Sequence, residues 1–208
     1  MELLEEIKKL QDTDIKNKAK QRLEEFSSFK NKKEKEWFSE LCFCILTANS
    51  RARTAIAIQD EIKPEGFINL TQAEITKIIR KHNHRFHNNK SKYIVEARKY
   101  KGIKQIANNY KNKKDARDFI AKNIKGLGYK EASHFLRNTG HFNLAILDRH
   151  VINIMIENNM IKEKPKTITK DIYAELENKL EKVAEKLKIS QAELDLYLWY
   201  MKGGDVLK

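Results

Sequence analysis

Two cysteines, two prolines and seven glycines are all that 208 residues supply of the types that staple, break or bend a chain. Cys42 and Cys44 stand two apart in an apolar run, which excludes a disulfide framework, and two thiols are too few for a four-cysteine zinc or iron–sulfur site. Long hydrophobic runs are missing too. The stretch from Leu41 to Leu46 falls far short of the roughly 20 residues that a membrane span requires. Met1-Glu2-Leu3-Leu4-Glu5-Glu6 lacks the basic segment that opens a signal peptide. These absences predict a soluble, cytosolic chain with no membrane partner. No segment alternates apolar and polar side chains over strand length, so sheet is not expected.

What is present is helix-forming and basic. Hydrophobic residues reach 40%, enough for a packed core. Lys and Arg number 42 against 29 Asp and Glu, a net +13 that points to a polyanionic partner, nucleic acid first. Leu3, Leu4, Ile7 and Leu10 open an amphipathic helix, and Trp37, Phe38, Leu41, Ile45 and Leu46 form a second with a broad apolar face. Thr71-Gln72-Ala73-Glu74 and Ser190-Gln191-Ala192-Glu193 have capping-box form and mark two helix starts. The spacing predicts further helices near 53–62, 89–100, 103–110, 114–123, 129–139, 148–158 and 170–187. Pro64-Glu65-Gly66, Lys101-Gly102, Thr139-Gly140 and Lys164-Pro165-Lys166 read as turns too short for interdomain linkers. An all-α chain organised as one unit over 1–208, with two helical lobes flanking a cleft, is expected.

Two glycines fall in Ile124-Lys125-Gly126-Leu127-Gly128-Tyr129-Lys130-Glu131-Ala132, between two expected helices. Glycine permits positive φ and close backbone approach, so such a turn bares its amides beside the positive end of the next helix and suits a phosphate. A Gly-x-Gly connection with no ligand is the plainer alternative for those residues taken alone. The wider stretch resembles the helix-hairpin-helix motif (about 114–139) of the DNA repair glycosylase superfamily, with Lys125 where its members usually carry proline. Leu147-Asp148-Arg149-His150-Val151 strengthens the resemblance, because Asp148 lies 18 residues beyond Lys130, the separation that this superfamily shows between its catalytic lysine and aspartate. Ile45-Leu46-Thr47-Ala48-Asn49-Ser50 looks like the segment that meets DNA opposite the damaged base.

The resemblance implies duplex DNA containing a damaged base as partner, a flipped nucleotide, and strand contacts from the amides of Gly126 and Gly128. Lys130 is then the nucleophile at C1′. Asp148 is the carboxylate that steadies positive charge on the sugar. Asn49 fills the gap left by the base or serves only as a helix cap, and Arg51, Arg53 and Arg85 contact the strand or are solvated surface.

A short chain with no cluster cysteines looks like the compact archaeal-type 8-oxoguanine DNA glycosylase/AP lyase family, whose chain end, here about 190–208, forms part of the base pocket. That implies Trp199 and Phe86 as stacking faces and Lys208 as a reader of the base edge, against the alternatives of a core tryptophan and a locally packed phenylalanine. It also implies a monomer without cofactor or iron–sulfur cluster in a prokaryotic, archaeal cytoplasm. A Na⁺ or K⁺ at the backbone of Lys122, Ile124 and Leu127 is further implied, with no metal held by side chains. His82, His84 and His87 lack a Cys or carboxylate at ligand spacing, which argues against zinc. An endonuclease III-like enzyme acting on oxidised pyrimidines and a non-catalytic DNA-binding module are the alternatives.

Overall fold

Helix follows helix in the computed structural model, which describes residues 2–204, and no strand occurs among the described residues. The order is α1 (Glu2–Gln11), α2 (Ile15–Ser28), α3 (Glu34–Thr47), α4 (Ala52–Asn69), α5 (Gln72–Lys81), α6 (His87–Ala97), α7 (Ile103–Asn109), α8 (Lys113–Asn123), α9 (Tyr129–Asn138), α10 (Arg149–Glu157), α11 (Lys170–Leu187) and α12 (Gln191–Gly203). Asp205 to Lys208, including the base-reading Lys208 expected from the sequence, lie outside the described residues.

The Thr71 hydroxyl accepts from the Glu74 amide while the Glu74 carboxylate accepts from the Thr71 amide at 2.7 Å, a complete capping box. At Ser190 only half of the box forms. Its hydroxyl accepts from the Glu193 amide at 3.1 Å, but the Glu193 carboxylate accepts from the Tyr197 hydroxyl instead. A second departure lies in α4. Pro64-Glu65-Gly66 is helical rather than a turn, because the chain breaks at Lys63, at φ 61°, and Pro64 then starts a short second helix in the first-turn position where its missing N–H costs nothing.

Two cores form. In the first, α3 is wrapped on every side, with every residue from Trp37 to Thr47 buried against α4 to α9. The second joins α1, α2, α10, α11 and α12 around Ile7, Phe26, Met155, Tyr173 and Leu196. Buried polar bridges tie the two lobes together. In one, Arg117 of α8 donates twice to the Glu177 carboxylate of α11, at 2.6 and 3.0 Å, while Glu177 also accepts from the Ala145 amide at 2.9 Å. In the other, Glu40 of α3 accepts from Asn138, whose side-chain oxygen accepts from Arg137, and Arg137 in turn pairs with Asp195 of α12. Helix α9 and the extended segment Leu144–Leu147 run along this seam, and the cleft opens there.

Candidate active site

The hairpin is held from below by its apolar residues. Ile124 and Leu127 are buried, and the Leu127 amide donates to the Ile124 carbonyl at 3.2 Å. Gly126 has φ +89°, and a Cβ there would stand 2.5 Å from the Tyr93 ring, so both angle and space require glycine. Gly128 is extended, and its amide donates to Glu131 Oε2 at 3.1 Å. Against the expectation that both glycine amides are bare, the carboxylate three residues on already covers that of Gly128.

Helix α9 begins at Tyr129, which places Lys130 in its first turn. Lys130 is partly exposed, and its Nζ lies 3.6 Å from Glu131 Oε1. His134 and Arg137, one and two turns further along, line the same cleft of about 1050 Å³. Asp148 faces the same space from the N-cap of α10, where its Oδ1 accepts from the Val151 amide at 2.8 Å. The structure thus brings Lys130 and Asp148 into one cavity. Trp199 stands half-buried on its wall, with the His150 ring edge-on at 5.9 Å, while neighbouring Leu194, Leu196 and Leu198 of α12 are buried in the core. Trp199 is therefore a cleft aromatic rather than a core tryptophan.

Asn49, Arg51 and Arg85 also line the cleft. Asn49 has φ 59° just past the end of α3, a position this residue type tolerates, so it ends the helix and faces the cavity at once. Arg53 is exposed on α4 and is not among the lining residues. Phe86 does not line the cavity either. It sits half-buried at the start of α6, with the Arg85 guanidinium 4.6 Å over its ring and the His84 ring at its edge. The three histidines are engaged separately. His82 pairs with Glu61, buried His84 meets the Leu46 carbonyl, and His87 lies beside Arg80.

Residues that sequence reasoning missed complete the cavity. Asp195, one turn before Trp199 on α12, lines it in contact with Arg137. Burial pushes the Asp195 carboxyl up to about 6 against the pull of the Arg137 guanidinium, and the nearby Asp148 charge adds to the rise. Helical spacing carried the signal for these residues: Lys130, His134 and Arg137 fall at i, i+4 and i+7, and Asp195 and Trp199 at i and i+4.

Lys90, in the first turn of α6, is only 5% exposed. Burial lowers its ammonium to about 8, with the Glu131 charge opposing the drop and Lys130 adding to it. Between pH 8 and the unfolded value near 10.4 the unfolded chain binds the proton and the folded chain does not, so this group stabilises the fold progressively as pH rises through that window. Below pH 8 both states carry the charge, and the folded state bears its burial. Replacing Lys90 by Met is therefore expected to raise stability at pH 7 by about 2 kcal/mol. The gap between the two proteins should close by pH 10.5, as read from urea unfolding at the two pH values.

Fold and site together define a helix-hairpin-helix protein whose second motif helix delivers a lysine to a cleft shared with an N-cap aspartate. Residues 19–189 match the family model described as 8-oxoguanine DNA glycosylase. The chain belongs to this 8-oxoguanine DNA glycosylase family. It is 48% identical over 208 residues to the 8-oxoguanine DNA glycosylase/AP lyase of Methanocaldococcus jannaschii, covering 100% of both chains, and 35% identical to that of Korarchaeum cryptofilum, covering 100% and 98%. Among solved structures, that of the M. jannaschii 8-oxoguanine glycosylase/lyase with a 15mer DNA containing 8-oxoguanine aligns with a TM-score of 0.98 at 48% identity over 100% of both chains. That of the Thermotoga maritima 8-oxoguanine DNA glycosylase aligns at 0.94 and 41% identity, covering 100% and 99%.

Proposed function

We propose that this protein removes 8-oxoguanine from duplex DNA and then cuts the strand at the resulting abasic site, with Lys130 and Asp148 as the catalytic pair. The observation that carries the assignment of residues is that Lys130 of α9, Asp148 at the N-cap of α10 and Trp199 of α12 line one cavity. An 8-oxoguanine flipped into it stacks on Trp199, whose half-exposed ring gains a flat partner. The neutral Lys130 amine attacks C1′, and the bond to the base nitrogen breaks with its electron pair on the base, which takes up a proton. Asp148 meets the positive charge that grows on the sugar, and its place at a helix N-cap keeps the carboxylate fixed for that purpose.

Opening of the sugar ring leaves an imine between Nζ and C1′. The imine makes the C2′ proton acidic, and its loss expels the 3′ phosphate by β-elimination. Hydrolysis of the imine then returns the lysine.

Arg51, Arg85 and Asn49 border the cavity and in this reading would hold the distorted duplex, with Arg53 further out on α4. Gly126 and, once uncovered, Gly128 would donate to a strand phosphate. Phe86 reaches the base as a second face only with a rearrangement of its stack with Arg85. Lys208 completes the reading of the base edge in this proposal. A monovalent cation would sit on the carbonyls of Lys122, Ile124 and Leu127; Ile124 already accepts one hydrogen bond and keeps a second lone pair for it. No other cofactor is invoked, and the enzyme works as a monomer. Among the described residues no helix is long and apolar enough to cross a membrane, and we place the enzyme on the DNA of the cytoplasm.

Borohydride reduction tests this reading, because it turns the imine into a stable bond. The expected result is a covalent complex with duplex DNA containing one 8-oxoguanine and none with undamaged duplex. Trapping on oxidised pyrimidine but not on 8-oxoguanine would reassign the substrate, and no trapping even on a ready-made abasic site would remove the lyase chemistry.

A further inference from the structure

The hairpin expected to meet DNA is already occupied from within. Glu131 places Oε2 3.1 Å from the Gly128 amide and Oε1 3.6 Å from Lys130 Nζ, and its side chain is only 17% exposed. One carboxylate thus holds the amide that a strand phosphate would use and sits beside the ammonium that must lose its proton to react. An oxyanion hydrogen-bonded to a backbone amide at the start of a helix, beside a lysine, is the same chemistry that a DNA phosphodiester offers.

We propose that Glu131 is an internal stand-in for the DNA phosphate, a positioning residue that covers the Gly128 amide and pairs with Lys130 in the free protein and is displaced when the strand arrives. This rests on the reading of the hairpin as the strand-binding element. The carboxylate has cations to move among: Lys130 on its own helix, and buried Lys90 on α6, which already feels its charge. Displacement exchanges one charge-assisted hydrogen bond at Gly128 for another, so the amide is never left unpaired and buried. The exchange also ties the freeing of Lys130 to the arrival of DNA, which keeps the nucleophile paired while no substrate is present.

The alternative is a plain helix cap, and the two make opposite predictions for Glu131→Gln. Glutamine keeps an acceptor for the Gly128 amide but removes the charge that competes with phosphate. The probe is a duplex carrying tetrahydrofuran, an abasic analogue with no C1′ hydroxyl and therefore no imine. Glu131→Gln should bind it about 3- to 10-fold more tightly than the wild type, with melting temperature shifted by no more than about 3 °C.

Glu96→Gln is the control. Glu96 lies beside the same hairpin, 3.6 Å from Lys125, and its loss removes equal charge without touching Gly128. Equal tightening by both variants, or unchanged or weaker binding by Glu131→Gln, would overturn the proposal. Failure of the glycosylase reading shows elsewhere, as absence of a borohydride adduct in the wild-type protein, and leaves the comparison of variants on duplex DNA intact.

Discussion

Lys130→Gln is expected to give no borohydride adduct on 8-oxoguanine or abasic duplexes and to lower excision by about 10³-fold or more, the scale on which loss of a covalent nucleophile is felt. Its melting temperature should barely move, because the Lys130 side chain is 29% exposed and pairs with the adjacent Glu131. Asp148→Asn sharpens the test. Asparagine caps a helix as well as aspartate does, so the hydrogen bond to the Val151 amide and the stability should survive within a few tenths of a kcal/mol. Excision should nonetheless fall about 10²- to 10³-fold, because a neutral amide does not steady the sugar cation. Single-turnover excision with parallel thermal melts checks both variants. Persistent trapping in Lys130→Gln would overturn the assignment of Lys130 as the nucleophile.

The second large effect concerns stability. Glu177 is fully buried and accepts from Arg117 twice and from the Ala145 amide, with Lys114 3.6 Å away. Glu177→Ala leaves a buried guanidinium without its counter-charge and a buried amide without an acceptor, at a cost of about 3–5 kcal/mol. With a urea slope of about 2 kcal/mol per molar, the unfolding midpoint should fall by roughly 2 M. Arg117→Met with Glu177→Leu should recover much of the loss, since an apolar pair of similar volume removes both charges together. The double variant should remain poorer in excision than in stability, because Ala145–Leu147 leads directly into Asp148 and loses its anchor to Glu177.

The helices were legible wherever a local pattern decided them. Thr71 and Ser190 announced two starts, and the expected end of a helix at 62 coincides with the break at Lys63. Pro64 was misread because proline signals a turn and the first residue of a helix with equal force, and only the backbone at Lys63 separates the two. Lys130 and Asp148 were readable through a motif and a spacing. Asp195, His134 and Arg137 were not sought because each looks like an ordinary helix residue, and their meaning depends on which face turns to the cleft. Phe86 is a different case, since in the free protein its ring is held by its neighbour Arg85. Its sequence setting, an aromatic in a polar stretch, does not tell an arginine stacking partner from a flipped base. The covering of Gly128 by Glu131 is the glutamate half of a capping box, and it went unread because a glycine stands where Ser or Thr would announce the box.

Wrapping α3 on all sides has a consequence for an enzyme whose substrate arises by oxidation. Cys42 and Cys44, the only thiols in the chain, are both fully shielded from solvent, and burial pushes the Cys42 thiol well up, so it is held as the unreactive protonated form. Peroxide attacks thiolates that it can reach. Here the sulfurs are withdrawn from it for as long as the first core stays closed, so the conditions that damage guanine spare these two thiols.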